Sequence, residues 1–105
     1  KNMNYFEIKP NGEAYIRTDS GTVIRKVGDG ESVNHADFNK DETLFVITYV
    51  SGRCEIRDRK NKLIKVVAEE GVEKALWDRS VKETAYQVLE TVSFGDEKIL
   101  LVMKR

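Results

Sequence analysis

The chain has 105 residues, with 18 Lys plus Arg set against 18 Asp plus Glu. That length predicts one small domain, and zero net charge removes the simplest reason to expect a nucleic-acid binder, which is clustered positive charge. Val, Ile and Thr supply 25 residues against a single Pro, a composition suited to strands. Cys54 is the only cysteine and His35 the only histidine. An intramolecular disulfide and a cysteine- or histidine-rich metal centre are therefore not expected. No apolar run approaches the roughly 18 residues of a membrane-spanning helix. The opening Lys-Asn-Met-Asn-Tyr-Phe-Glu has no leader-like apolar core. The chain does not begin with Met, which leaves a trimmed leader or a fragment open. Cytoplasmic placement, no membrane and no cofactor are the expectations.

Strand-like runs alternate with turn signals from the start. Tyr5 to Lys9 is followed by Pro10-Asn11-Gly12, and Asn-Gly favours a hairpin because both residues tolerate positive φ. Ala14 to Thr18 leads through Asp19-Ser20-Gly21 into Thr22 to Val27. Beyond the Gly28-Asp29-Gly30 loop come Val33 to Phe38, Thr43 to Tyr49, Cys54 to Asp58 and Leu63 to Val67. Thr43 to Tyr49 is apolar on both faces, which predicts an interior strand packed on two sides. Residues 69–92 read in two ways. Ser80-Val81-Lys82-Glu83 fits a capping box, and Val72, Ala75 and Leu76 form a short apolar stripe, so one or two helices are the α+β alternative. Tyr86, Val88, Val92 and Phe94 also share a strand face, and strands are preferred. Gly95-Asp96-Glu97 then opens an apolar final strand, Lys98 to Lys104.

A shift of forty residues overlays Tyr5 on Phe45, Gly12 on Gly52, Ile16 on Ile56, Arg17 on Arg57, Ile24 on Ile64 and Val27 on Val67. A shift of thirty-nine overlays Val33, Ala36 and Phe38 on Val72, Ala75 and Trp77. Repeat units of 5–27, 33–67 and 72–103 follow, the first lacking its first strand. A period near forty with four short strands per unit is the pattern of a β-propeller blade. The stretch VNHADFNKDETLFVITYVSGRCEIRDRKNKLIKVV, Val33 to Val67, resembles the WD40-like repeat superfamily. Arg57-Asp58 stands at the family's Trp-Asp pair, retaining the aspartate, and Gly30-Glu31 stands where its Gly-His pair would be. The resemblance implies an all-β antiparallel meander of four-stranded, propeller-like repeats that presents loops and a face to protein partners.

Candidate sites are few. His35 and Asp37 share a strand face and have the residue types of an orienting couple for base catalysis, but no nucleophile accompanies them. Arg53, Arg57, Arg59, Lys60, Lys62 and Lys65 face only Glu55 and Asp58 within residues 53–65. With Tyr15 and Arg17 on the neighbouring repeat, that segment gives a minor nucleic-acid alternative. Glu69, Glu70 and Glu73, and Asp37, Asp41 and Glu42, lack a full set of metal ligands. Trp77 reads as a core residue or as an anchor for a partner. Cys54 reads as a small buried residue. The expectation is a non-enzymatic interaction or structural module, with Tyr15, Arg17, Arg53, Arg57 and Trp77 as the possible surface. Its expected partners are an unknown protein and a second copy, because an incomplete set of repeats leaves open edges. The alternative is a small α+β inhibitor of a partner protein.

Overall fold

A computed structural model describes residues 3–79 and 88–105, and all regular structure among them is β-strand. Ten strands form three antiparallel sheets. The first sheet is β1 (Tyr5–Ile8), β2 (Ala14–Arg17) and β3 (Val23–Val27), in that order. The middle sheet is β4 (Val33–Phe38), β5 (Leu44–Tyr49), β6 (Cys54–Asp58) and β7 (Leu63–Ala68). The third holds β8 (Val72–Trp77), β9 (Val88–Phe94) and β10 (Glu97–Met103), in the spatial order β8-β10-β9.

Two expectations need correction. Among the described residues only the middle sheet has four strands, and no closed propeller forms. The third sheet is also not a meander, since β10 lies between β8 and β9. Side-chain polarity explains that order. Ile99, Leu100 and Leu101 of β10 are 0–3% exposed, so β10 needs cover on both faces. Glu90, Thr91 and Ser93 of β9 are exposed, so β9 suits an edge.

Two cores hold the sheets together. Ala14, Ile16 and Val27 of the first sheet pack on Val33, Phe38, Phe45, Ile47 and Tyr49 of the middle sheet. Phe6 stacks on Phe38 with ring centroids 4.3 Å apart. Val46, Cys54 and Ile56 of the middle sheet pack on Val72, Ala75, Trp77, Ile99 and Leu101 of the third. Phe45 through Tyr49 are all 0% exposed. β5 thus feeds Phe45, Ile47 and Tyr49 to one core and Val46 to the other, as its two apolar faces require.

The forty-residue shift is visible in the hydrogen bonds. Lys9 N donates to Glu13 O at 2.8 Å as Tyr49 N does to Arg53 O at 2.9 Å. Thr18 N to Thr22 O repeats as Asp58 N to Lys62 O, both 2.9 Å. The Arg17 guanidinium donates to Gly21 O at 2.6 Å, and that of Arg57 to Asn61 O at 2.7 Å. The junctions between sheets repeat too: Val33 N donates to Gly12 O at 2.9 Å, and Val72 N to Gly52 O at 3.0 Å. Gly12 and Gly52 have φ of +90° and +98°, and a Cβ on either would lie 2.7 Å from the following strand's entry, at Ser32 or Gly71. Only glycine suits both the backbone conformation and the approach.

The helical reading of 69–92 is not supported where residues are described, since Val72–Trp77 and Val88–Phe94 are strands. The three-residue spacing of Val72 and Ala75 has a different cause. Val72 pairs with Met103 and Lys74 with Val102, so Glu73 is a bulge residue that resets the alternation. Asn34 does the same in β4, where Val33 pairs with Tyr49 and His35 with Thr48. A helix-like spacing therefore arises on a strand, and Val, Ala and the aromatic share one buried face. The capping box Ser80–Glu83 lies outside the described residues.

Candidate strand-docking site

Among the described residues β4 and β8 are each paired on one side only, which leaves one backbone edge of each outside its own sheet. Backbone groups there need partners. β4 supplies them to β8 from its side chains. Asn34 Nδ2 donates to Glu73 O at 2.7 Å, and Trp77 N donates to Asp37 Oδ2 at 2.9 Å. His35, between them, interacts with the Ala75 backbone. Asn, His and Asp side chains thus take the place of a neighbouring strand along β8.

His35 and Asp37 are therefore tethers between sheets. Burial pushes the His35 pKa down, Lys74 adds to this, and Asp37 opposes it. Its Nδ1 is buried with no hydrogen-bond partner, in keeping with a neutral ring. Burial raises the Asp37 pKa, opposed by the Trp77 N–H and by Arg79, whose guanidinium is 2.8 Å away.

The inner edge of the first sheet differs. By the forty-residue shift β1 corresponds to β5, yet among the described residues β5 is paired on both sides and β1 only with β2. Lys9 N bonds toward β2, so by antiparallel alternation the N–H and C=O groups of Phe6 and Ile8 point to the open side. A cleft of about 230 Å³ lies there. Asn4, Tyr5 and Phe6 form one wall, and Ala36, Asp37 and Phe38 of β4 form the other. Pro10 follows β1. Its counterpart Val50 donates to Ser32 O at 2.8 Å, and Lys104 makes the matching bond to Gly71 O at 2.8 Å. Proline has no N–H to donate.

The five residues of the expected surface do not form one face. Trp77 is 1% exposed and belongs to the core between the middle and third sheets, so the anchor reading is corrected: its ring is committed to Phe94 and the apolar residues around it. Tyr15 and Arg17 lie on the outer face of the first sheet, where Arg17 pairs with Glu7 at 2.7 Å. Arg53 and Arg57 converge on Glu55, which is only 1% exposed. Glu55 accepts from Tyr49 Oη at 2.6 Å, Arg57 Nε at 2.8 Å and Arg53 Nε at 2.9 Å. Burial opposes its ionisation, but Arg57, Tyr49 and Arg53 outweigh it and hold the pKa below the ordinary value. Arg53 also pairs with Glu69, and Arg59 with Glu42 at 3.5 Å. Three arginines of segment 53–65 are thus occupied by carboxylates, and a free basic stripe is not what they form.

Cys54 is 0% exposed, and burial pushes its thiol up to about 11, which suits packing rather than nucleophilic chemistry. Among the described residues no three His, Cys, Asp or Glu side chains are grouped to hold a metal ion. Among them, too, no helix is long and apolar enough to cross a membrane. A mixed-charge hollow lined by Lys40, Asp78, Arg79, Asp96, Glu97 and Lys98 lies at one end of the stack. Sequence reasoning did not find the β1–β4 cleft. Compared with models of protein families, with curated proteins and with solved structures, the chain matches none.

Proposed function

We propose that this chain is a non-enzymatic protein-interaction module of propeller-like repeats that takes up an extended polypeptide strand at β1. One observation carries the reading. Among the described residues β1 pairs only with β2, and a cleft walled by Asn4, Tyr5 and Phe6 and by Ala36, Asp37 and Phe38 of β4 lies beside it. Main-chain hydrogen bonds supply affinity in such additions, and alternate side-chain positions supply selectivity. The polar clusters a catalyst would need are engaged in tethering: His35 and Asp37 bind β8, and Glu55 is satisfied by three donors. An inhibitor role was tied to helices in 69–92, and strands at Val72–Trp77 and Val88–Phe94 remove that tie.

Selection from a displayed library of random twelve-residue peptides tests the reading. Enriched peptides should slow amide exchange at Phe6 and Ile8. They should lose affinity for Ile8→Pro, which deletes one outward N–H from an edge strand that tolerates proline. Selection yielding no binder, or protection confined to other strands, refutes it.

A further inference from the structure

We infer that the outer rim formed by β3 and β7 docks an acidic amphipathic helix of a partner protein. This surface is separate from the β1 cleft and stands without it.

Large apolar side chains remain exposed on this rim. Val23, Ile24, Leu63 and Ile64 are 38–45% exposed. They are one feature made twice, because the forty-residue shift places Val23-Ile24 on Leu63-Ile64. Backbone geometry explains the exposure. Arg17 pairs with Val23 but Ile16 with Arg25, and Arg57 pairs with Leu63 but Ile56 with Lys65. Ile24 and Ile64 are thus bulge residues, and β7 carries a second bulge at Val67. Both strands are the outermost of their sheets among the described residues. The two places are also joined. Asn61, just ahead of β7, donates from Nδ2 to Gly28 O at 3.0 Å and accepts from Gly28 N at 2.8 Å, and Gly28 directly follows β3.

The charge around them is positive. The lysines of segment 53–65 differ from its arginines: Lys60, Lys62 and Lys65 are exposed, and among the described residues no carboxylate pairs with them. Asp58 turns its Oδ1 onto the backbone N–H groups of Lys60 and Lys62, both 2.9 Å away. On β3, Lys26 is held by Glu13, but Arg25 Nε is buried with no hydrogen-bond partner. Asp29, next to Gly28, acts on Arg53, and Asp19 lies beyond Val23 in the β2–β3 turn.

Unpaired cations around apolar side chains fit a partner that is both acidic and apolar. Bulges turn an edge away from further strand pairing. A helix satisfies its own backbone and offers an apolar stripe instead. Single-stranded nucleic acid would look for stacking rings, and these four side chains are aliphatic. A bilayer takes up an apolar face about 5–10 Å deep, whereas these side chains are half-covered and lie along strands. From Ile24 through Gly28 and Asn61 to Leu63 the path is at most about 25 Å, which a helix of about 17 residues covers.

The probe is an acetylated peptide amide of about 18 residues, built of Leu, Ala and Glu with Leu at helical i, i+3, i+4 and i+7 spacing, titrated into the full chain. It should shift the amide resonances of Ile24 and Ile64. It should bind at least about tenfold more tightly than the same peptide with Lys for every Glu, and added salt should weaken it. Ile64→Ser should weaken it about tenfold through lost apolar contact. Lys62→Glu combined with Lys65→Glu should abolish binding. Both variants alter exposed side chains, so the urea midpoint should hold, and the charge variant carries the test where Ile64→Ser fails to fold. Equal binding of the two peptides, shifts confined to other strands, or no binding overturns the inference. So does tighter binding of a peptide with the same composition but alternating Leu, which assigns the rim to a strand. Co-sedimentation with phosphatidylserine–phosphatidylcholine vesicles and not with the peptide assigns it to lipid, and self-association lost in Ile64→Ser assigns it to a second copy; each overturns the inference. Exchange at Phe6 and Ile8, on which the β1 reading is tested, is untouched by all of these outcomes.

Discussion

Replacing Asp37 tests whether side chains of β4 do the work of a strand along β8. Asp37 has 14% of its side chain exposed and accepts two bonds, from Trp77 N at 2.9 Å and from Arg79 at 2.8 Å. Asp37→Ala leaves the Trp77 N–H facing the core without an acceptor. An unsatisfied buried donor costs about 1–3 kcal/mol. The ion pair with Arg79, itself 40% exposed, adds well under about 1 kcal/mol. A loss near 2 kcal/mol is expected, equivalent to roughly 8–16 °C in melting temperature for a domain of this size. Asp37→Asn keeps an oxygen for the Trp77 N–H and removes a carboxylate whose ionisation burial opposes, so it should lie within about 0.5 kcal/mol of the parent. Urea unfolding at constant m-value measures both, and exchange at the Trp77 amide localises the effect. If Asp37→Ala costs nothing, or Asp37→Asn costs as much, the ladder between β4 and β8 carries no stability and the reasoning fails.

Three further outcomes are expected. Glu55→Ala leaves the buried Arg57 head without its carboxylate and Arg53 with Glu69 alone, and should cost about 3–5 kcal/mol by urea unfolding, with Glu55→Gln costing less. Gly21→Ala and Gly52→Ala separate strain from collision. Both have strongly positive φ, but a Cβ at Gly21 meets nothing within 4 Å, whereas at Gly52 it lies 2.7 Å from Gly71 N; Gly21→Ala should cost about 1–2 kcal/mol, and Gly52→Ala clearly more, in thermal melts. Because burial holds His35 below its ordinary value of 6.5, the unfolded chain takes up that proton first and stability should fall as pH drops through 6.5. Asp37 has the opposite sign, since its raised folded pKa makes its contribution decline as pH rises through 3.8. His35→Gln should therefore flatten the stability profile just below pH 6.5, and an unchanged slope there refutes the burial assignment.

The strands were legible where alternation and turn chemistry agree. Asn11-Gly12, Ser20-Gly21 and Ser51-Gly52 end strands in the structure as their glycines require, with positive φ at each glycine. The two apolar faces of Thr43 to Tyr49 announced a strand between two cores. Residues around Val72 misled because a bulge at Glu73 gives a strand the spacing of a helix. Strand order in the third sheet was hidden because sequence order favours a meander. There the burial demand of Ile99 to Leu101 outweighs it. The arginines of segment 53–65 misled for another reason: charge counts along the chain do not show that Glu55 is buried among them.

The two ends of the repeat explain why the open place is an edge and not a face. Sliding the middle sheet back by forty residues puts Phe45, Ile47, Glu55 and Arg57 on Tyr5, Glu7, Tyr15 and Arg17. In the middle sheet Phe45, Ile47 and Glu55 are 0–1% exposed and Arg57 is 8% exposed, all under the first sheet's cover. In the first sheet Tyr5 is 45% exposed, Glu7 pairs with Arg17, and Glu13 pairs with Lys26 at 2.8 Å. That face has little apolar area to give up, and stripping its ions of water is costly, as in the polar end of a repeat stack. Stacking of a second copy there gains little from burial. At β1 the gain is of another kind. Its outward backbone groups lose no side-chain solvation on pairing, and the adjacent Phe38 and Ala36 of β4 already wall a cleft. Addition of one strand would pair the outward backbone groups of β1, and Pro10, with no N–H, could not carry that pairing further.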